Sequence, residues 1–527
     1  MRYFILVLFV LAISITSCRK DFDTVPSSGK LAFSKTTVYL DTVFTNIGSS
    51  TYMLKVYNRS NDDITIPSIA LAKGDASKYR LMVDGMTGID GPDANTIGDG
   101  KIFPNVELLA NDSLFVFIET TADIADANPA DMLYTDEILF DAGIFQQKVN
   151  LVTLIQDAIF LFPDRTPNGT GGYSYENLQL DDADPDSKIY GFELTGSELN
   201  FTNSKPYVIY GYAGVKSGDV LTINPGARIH FHDQSGIFVK NGGSIQVKGT
   251  ASPTATPLLN EVIFEGDRLE PAFAETPGQW GMIYLAEGSK NNIFDHTTIK
   301  NATVGVFVDR QEATSTVQIK NTQIYNTSNY GIIARKGKIN GENIVVNNAG
   351  KSSLACILGG TYDFLHCTFA NFWASGTRQS PTVYLDNSYT QNDAVLVFPQ
   401  LQANFTNSII YGANNIELGI NKVDVAGLVF TTNMTNCLIR FNDINNQFAG
   451  NTLYTSIFAA SNNNLMSTNV TPFDPKFKNA IKNQMSLLTG SSAIGNGKDF
   501  PVLPNDIKNT PRPVSPAKPD IGAYQFP

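Results

Sequence analysis

The chain has 527 residues, of which 42% are hydrophobic and only 17% charged, so it is long enough for two or three domains with apolar cores. A net charge of −12 excludes a protein that wraps nucleic acid, because that function needs clustered lysine and arginine to release counterions. The many asparagine, threonine, serine and glycine residues favour short strands and turns over long amphipathic helices.

Residues 1–17 have the pattern of a secretory signal peptide. Arg2 precedes an apolar run over residues 4–13, and small residues follow just before Cys18. The run is shorter than the roughly 20 residues that a membrane-spanning helix needs. Ile15-Thr16-Ser17-Cys18 resembles the lipobox of bacterial lipoproteins, which implies cleavage before Cys18 and lipidation of its thiol and new amine. The alternative is an ordinary signal peptide followed by a chance cysteine.

Residues 18–30 are predicted to be a lipidated tether. Residues 19–23, with the sequence RKDFD, are similar to the charged signals that send Bacteroidetes lipoproteins to the outer face of the outer membrane. Two or three acyl chains anchor a protein stably, since each buried CH₂ contributes about 0.8 kcal/mol. The resemblance therefore implies an outer-membrane lipoprotein of a Gram-negative bacterium, facing the cell exterior.

Residues 31–157 are predicted to form a β-sandwich. Strand-like runs at residues 37–40, 52–57, 64–66, 114–119 and 148–155 alternate with turn clusters. Residues 41–45, 55–58 and 111–116 look like the immunoglobulin-like domain that opens many Bacteroidetes surface lipoproteins. This region carries no catalytic motif, so it is interpreted as a spacer, with protein binding through exposed strand edges as the alternative.

Residues 158–205 are predicted to be a linker, because their central part is rich in glycine, proline and aspartate. Asp181, Asp184 and Asp186, with Asp182 between them, offer oxygen ligands for calcium. Their spacing lacks the glycine and terminal glutamate of an EF-hand loop. A solvated acidic linker is the alternative, and calcium is the only cofactor that the sequence suggests.

A repeat over residues 206–470 predicts a parallel β-helix. Its unit is a polar residue, a small residue, any residue and an apolar residue, and it occurs at residues 296–299, 321–324, 342–345, 366–369, 407–410 and 436–439. Most intervals are 20 to 30 residues, which fits one coil per repeat. A second strand column follows at residues 305–308, 331–334, 355–358 and 382–385.

Further segments carry a family resemblance. Residues 218–227, 242–250, 262–264 and 279–283 look like the opening coils of bacterial right-handed β-helix proteins, and residues 473–477, 491–495 and 520–524 resemble their closing segment, placed at 471–527. The expected fold is all-β, a right-handed parallel β-helix of pectate-lyase-like architecture preceded by an immunoglobulin-like β-sandwich. The group is functionally mixed, so the resemblance does not specify an activity.

The repeat register assigns most cysteine and histidine residues to stacking columns. Cys367 and Cys437 fall in a column of small residues, and Cys356 falls in an apolar strand column, with a disulfide as the alternative. A polar ladder beside a turn is expected to contain His296, Asn321, Glu342, His366, Asn407 and Asn436. A metal site is not expected at the two histidines, because two coils separate them.

One charged column is the candidate catalytic site. The register places Asp309, Arg335, Gly359 and Asp386 above one another, with Arg310, Lys336, Gly360 and Asn387 beside them. Polysaccharide lyases of this fold use a basic residue to remove a proton and often hold calcium with acidic residues. That resemblance implies Arg335 or Lys336 as the base and Asp309 and Asp386 as calcium ligands. A ladder of surface salt bridges is the alternative.

Two functional hypotheses follow. The leading one is a surface lipoprotein whose β-helix binds a glycan or a protein partner without catalysis. Trp373, in a loop, is the candidate for stacking on a sugar, whereas Trp280 is expected in the core. The alternative is a carbohydrate-active enzyme, a polysaccharide lyase or glycoside hydrolase, that acts on an acidic polysaccharide.

Overall fold

The structure is a computed structural model, and it describes residues 23–89, 98–180, 184, 186–254, 257–311, 316–391, 393–500 and 503–527. The chain divides into two compact units at residues 157 and 158. The predicted signal peptide, the predicted lipidation site Cys18 and the predicted calcium ligand Asp181 lie outside the described residues. Among the described residues, no helix is long and apolar enough to cross a membrane.

The first unit contains two β-sheets around one apolar core. One sheet has the order Val25–Pro26, Ile64–Leu71, Leu133–Phe140, Gln147–Gln156 and Thr37–Phe44, with Ile102–Leu108 also paired to Ile64–Leu71. The other has the order Ala32–Phe33, Tyr52–Tyr57, Ser113–Thr120 and Tyr79–Val83. Alternate residues such as Leu114, Val116 and Ile118 are buried in the core, as a half-buried strand requires. The unit begins within the predicted tether, because Val25 pairs with Ile64.

The second unit is a right-handed parallel β-helix with three faces, which we name A, B and C. Face A contains Ile159–Leu161, Tyr207–Ile209, Arg228–Phe231, Val262–Gly266, Thr297–Lys300, Gln323–Thr327, Val345–Ala349, Thr368–Asn371, Ile409–Gly412, Leu438–Arg440 and Leu465–Ser467. Face B contains Lys188–Glu193, Tyr212–Val215, Gly236–Val239, Trp280–Leu285, Ala302–Asp309, Val383–Asp386 and Leu418–Asn421. Face C contains Asn200–Phe201, Val220–Ile223, Ser244–Lys248, Ile293–Asp295, Val317–Lys320, Gln400–Thr406 and Val429–Thr435. The long strands Tyr330–Glu342 and Leu354–Leu365 continue from face B into face C.

The remaining elements are short. Antiparallel pairs join Arg165–Pro167 to Tyr173–Tyr175, Asn177–Gln179 to Lys188–Glu193, Ser388–Gln391 to Ala394–Val397, and Phe477–Asn479 to Gln484–Leu487. The described residues contain one α-helix, Thr452–Ile457, and 3₁₀ turns at Gly74–Ala76, Ile124–Asp126, Gly143–Phe145, Gly196–Leu199, Pro271–Phe273, Ala460–Asn462 and Ala480–Lys482. The β-helix starts within the predicted linker, since Ile159 pairs with Tyr207 and Gly191 pairs with Tyr212.

The observed register corrects the third repeat unit by one residue. Ile324 pairs with Val346, which pairs with Phe369, so Val346 rather than Val345 points into the core. Asn343 therefore takes the place in the polar ladder that was predicted for Glu342. The ladder residues adopt left-handed backbone conformations, with φ between 44° and 52°. Asparagine tolerates this conformation far better than glutamate does, which gives the physical reason for the correction.

The outward side of face A changes from polar to apolar along the β-helix. Its earlier strands present Glu265, Lys300 and Gln323, whereas its later strands present the buried residues Val345, Ala370, Ile409 and Leu438. The closing segment packs on the apolar part, with Met485, Ile507, Tyr524, Leu487, Ala493 and Ile521 in two small cores. This apolar packing ends where the polar part begins, and Glu265, Lys300 and Gln323 of that part are partly exposed.

Candidate functional site

The predicted charged column exists on face B, with one change of membership. Asp309 pairs with Arg335, Arg335 pairs with Ile357, and the register then reaches Asp386 and Asn421. Ile357 occupies the place predicted for Gly359. The shift arises because the second-column unit in this coil begins two residues earlier than predicted. Gly359 therefore falls in a bulge, with φ of 77°, whereas Gly360, with φ of 118°, pairs with Gly337.

Asp309 and Arg335 form a buried, two-point ion pair. The guanidinium Nε and Nη2 lie 2.8 and 2.6 Å from the two carboxylate oxygens, and Asp309 is 0% exposed. The Tyr284 hydroxyl donates to the same carboxylate at 3.1 Å. Tyr389 belongs to the hairpin inserted after Asp386, and its ring centroid lies 5.6 Å from the guanidinium carbon of Arg335. The hydrogen bonds to Asp309 raise the pKa of Arg335, so it holds its proton more tightly than an ordinary arginine and is poorly suited to act as a base.

The other two predicted catalytic residues lie apart from this pair. Lys336 places its ammonium 4.5 Å from the Phe398 ring centroid. Asp386 accepts hydrogen bonds from Tyr384, Ser388 and Asn421 at 2.6 to 3.0 Å and is 7% exposed. Two coils separate Asp386 from Arg335, which is about 10 Å at the spacing of adjacent strands. The structure thus brings together Asp309 and Arg335 but not all four side chains.

The remaining predicted positions do not form a metal or disulfide site among the described residues. Cys356, Cys367 and Cys437 are free and buried, and no group of three or more metal-ligating side chains is found in the described ranges. Asp184 accepts from the backbone of Asp186 at 3.1 Å, in a local turn. Trp373 is half-buried on the loop after Thr368–Asn371 and does not line the cleft described next.

A cleft of about 620 Å³ lies on the open, polar part of face A. Thr298, Lys300, Gln323 and Tyr325 form its floor, since their neighbours Ile299 and Ile324 point into the core. One wall comes from the loop after Ser244–Lys248 and another from the closing segment. The other lining residues are Ala251, Ser252, Pro253, Thr254, Leu258, Glu261, Glu275, Asn326, Lys478, Lys482, Asn483, Gln484, Met485, Ser486, Ile507, Lys508 and Tyr524.

Hydrogen bonds organise the cleft floor. Gln323 Oε1 accepts from the hydroxyls of Tyr325 at 2.5 Å and Tyr524 at 3.1 Å, which links the β-helix to the closing segment. Glu275 accepts from the amides of Asn326 at 2.7 Å and Asn483 at 3.2 Å. The floor is therefore held in position by partners on both sides.

Charged groups of both signs face this cleft. Lys300 is neutralised by Glu265, at 2.6 Å. Glu261 is half-buried and receives only a 3.4 Å contact from the Thr298 hydroxyl. Burial raises the pKa of Glu261, although His296, Thr298 and Arg228 oppose the shift. The cleft can therefore hold a ligand by hydrogen bonds and by charge.

The raised pKa of Glu261 predicts a pH-dependent stability. Since the folded-state pKa exceeds the unfolded one, the ionised side chain destabilises the fold progressively as pH rises through the folded pKa. We expect Glu261→Gln to raise the melting temperature at pH 7, and the difference to vanish below about pH 4, near the unfolded pKa. Thermal melts across this range measure it, with the exposed Glu107→Gln as control. A difference that does not change with pH would contradict the expectation.

Sequence reasoning missed the cleft. Its floor lies in two outward columns in which polar and apolar residues both occur, so the repeat alone did not mark them as a site. The wall that the closing segment supplies is distant in the chain, as the hydrogen bond from Asn483 to Asn326 illustrates with a separation of 157. The sequence contains one signal of the cleft. The outward residues of face A before Val345 are polar, so the closing segment cannot pack on them through apolar side chains.

Comparisons with known proteins describe the fold. The family model described as "Right handed beta helix region" matches residues 190–371. No match is found among curated proteins. Among solved structures, the chain is similar over 25% of its length to 57% of the E. coli chaperone DraB, at 14% identity and a TM-score of 0.16. It is also similar over 73% of its length to 66% of the catalytic unit of an α-1,3-glucanase from Streptomyces thermodiastaticus, at 10% identity and a TM-score of 0.20. The family match and the parallel register together show a right-handed β-helix.

Proposed function

We propose that this protein is a lipid-anchored, outward-facing protein of a Gram-negative outer membrane whose β-helix binds a glycan without chemically changing it. The observation that carries the proposal is the open cleft on face A, built on rigid strands and lined by amides, hydroxyls, carboxylates and ammonium groups. Sugar hydroxyls both donate and accept hydrogen bonds, so a glycan uses all of these groups. The half-buried Tyr325 ring adds apolar surface for the sugar ring.

The arrangement of carboxylates favours binding over hydrolysis. A glycosidase needs two carboxyl groups about 5 to 9.5 Å apart. The Glu261 carboxylate contacts the Thr298 hydroxyl, which is level with Gln323, whereas Glu275 contacts Asn326, three residues beyond Gln323. At about 3.3 Å per residue, the two contact levels differ by roughly 10 Å, just beyond that range. On face B, the Asp309 carboxylate is already paired with Arg335.

A variant that fills the cleft tests the proposal. Gln484 is exposed on the cleft wall, so Gln484→Trp can block the cleft without disturbing the core. We expect a glycan identified on an array to bind the unchanged protein at least about tenfold more tightly than this variant, a difference of 1.4 kcal/mol. Gln391→Trp, on an exposed position of the face B hairpin, is the matched control. Equal binding by both variants would place the glycan elsewhere, with Trp373 the next position to replace.

The lipid anchor is tested separately. We expect labelled palmitate to enter the unchanged precursor in cells and not Cys18→Ala, and external protease to remove the protein from intact cells. Full protection from the protease would contradict display on the outer face.

The alternative function is catalysis on an acidic polysaccharide. The observation in its favour is Glu261, whose raised pKa suits a proton donor. Incubation with acidic polysaccharides, with and without calcium, followed by product analysis distinguishes the two functions. Unsaturated uronate products or new reducing ends would replace the binding function by an enzymatic one.

A further inference from the structure

The cleft on face A holds charges of opposite sign that do not neutralise one another. Glu261 and Glu275 supply the acidic side. Lys478, Lys482 and Lys508 supply the basic side, all exposed on the closing segment. Among the described residues, none of these five side chains has an oppositely charged partner within 4.0 Å.

The contacts that these side chains do make are uncharged. Glu275 is held by two amides, at 2.7 and 3.2 Å, and Glu261 only by a threonine hydroxyl at 3.4 Å. Lys508 donates to the Ser486 hydroxyl at 2.9 Å and lies 5.2 Å from the Tyr524 ring centroid. Because these contacts include no ion pair within 4.0 Å among the described residues, the carboxylates and ammonium groups can form ion pairs with a ligand.

The glutamates and the lysines of the cleft lie on different parts of the protein. Glu261 is adjacent to a β-helix strand, and Glu275 lies on the loop before Trp280 and is tied to Asn326. The lysines project from the closing segment, which packs through its apolar side chains. The two sets are thus carried by separately packed parts of the protein.

We propose that the cleft selects a zwitterionic saccharide, one that carries ammonium and carboxylate groups on neighbouring sugars. This inference rests on the glycan-binding function proposed above and deepens it. The ammonium groups of the ligand face Glu261 and Glu275, and its carboxylates face Lys478, Lys482 and Lys508. A purely anionic glycan meets repulsion from the two glutamates, and a purely cationic glycan meets repulsion from the lysines.

Three oligosaccharides of equal length test the selection. De-N-acetylated hyaluronan carries alternating ammonium and carboxylate groups, its hyaluronan parent carries only carboxylates, and chitosan carries only ammonium groups. Calorimetric titration of the full chain without its signal peptide, at low and at high salt, measures each affinity. We expect the zwitterionic oligosaccharide to bind at least about tenfold more tightly than either of the others, with the preference reduced at high salt.

Matched variants test the lysines and the glutamates of the cleft separately. Lys478→Ala with Lys482→Ala is expected to weaken the zwitterionic ligand about tenfold, whereas the exposed pair Lys248→Ala and Lys290→Ala should have no effect. Glu261→Gln with Glu275→Gln should abolish the preference for the zwitterion over hyaluronan. Because every lysine in these variants is exposed, the fold is expected to be unchanged, and circular dichroism checks this.

The outcomes separate this inference from the function on which it rests. If hyaluronan or chitosan binds the cleft as tightly as the zwitterion, glycan binding stands and the charge selection is wrong. If none of the three binds and Gln484→Trp alters binding of no glycan on an array, both proposals are wrong. Preference for the zwitterion that survives both pairs of variants would also overturn the inference.

Discussion

Replacing Arg335 with methionine is expected to lower the free energy of unfolding of the β-helix by about 3–5 kcal/mol. The Asp309 carboxylate is 0% exposed, and Arg335 provides its two-point partner at 2.8 and 2.6 Å. The substitution keeps an unbranched apolar stem but leaves a buried charge without that partner. Chemical denaturation followed by the fluorescence of Trp280, which is buried in the β-helix core, measures the loss.

A second arginine on the same carboxylate provides the control. Arg310 Nε lies 3.3 Å from Asp309, but its side chain is 42% exposed, so Arg310→Met should cost less than about 1 kcal/mol. Removing both charges with Asp309→Leu and Arg335→Met should recover much of the stability, because no unpaired charge is then buried. If Arg335→Met leaves stability unchanged, the pair is free for another role, and its predicted catalytic function regains support.

Asn407→Ala is expected to destabilise the β-helix by about 3 kcal/mol, since it removes three hydrogen bonds worth about 1 kcal/mol each. Its side chain exchanges two 2.7 Å hydrogen bonds with the backbone of Lys498 and lies 2.8 Å from His366 Nε2. Its φ of 50° adds a further cost for alanine. Asn433→Ala, whose amide makes one exposed hydrogen bond at 2.9 Å, should cost less than about 1 kcal/mol.

The same substitution should loosen the closing segment before the β-helix unfolds. Lys498 belongs to that segment, and the Gly522 amide donates to the Asn407 carbonyl at 2.7 Å. Hydrogen exchange should therefore become faster over residues 503–527 in Asn407→Ala and stay unchanged on the early face A strands. Uniformly faster exchange would show that the ladder residue supports the whole β-helix and has no special role for the segment.

The sequence predicted the parts of the fold that repeat. Cys367 and Cys437 lie in the predicted column of small buried residues, and Trp280 is in the core, because the coil spacing determines which positions stack. The predicted register was wrong in the coil that contains Cys356. The coil around Cys356 begins two residues earlier than predicted, and Leu358 and Gly359 lie opposite Lys336 alone in a bulge that no simple repeat reveals.

The site was less predictable than the fold. Asp309 and Arg335 do lie side by side, as the column predicted, but the sequence did not show that Tyr389 would lie over Arg335 or that Asp309 would be buried. The face A cleft depends on long-range packing. Tyr524 reaches Gln323 across a separation of 201 residues, and neither residue alone indicates that contact.

The outward residues of face A change from polar to apolar at Val345. Coils upstream of this point could therefore be added without disturbing the apolar patch on which the closing segment packs. The closing segment recognises the apolar patch that begins at Val345, and it does not depend on how many coils precede that patch. Inserting one coil upstream would lengthen the cleft floor by about 4.8 Å, the spacing of adjacent strands, without changing the seat of the closing segment. If the cleft binds the proposed glycan, we expect a chain with one added coil to bind a longer glycan, while the lysine-bearing wall stays the same.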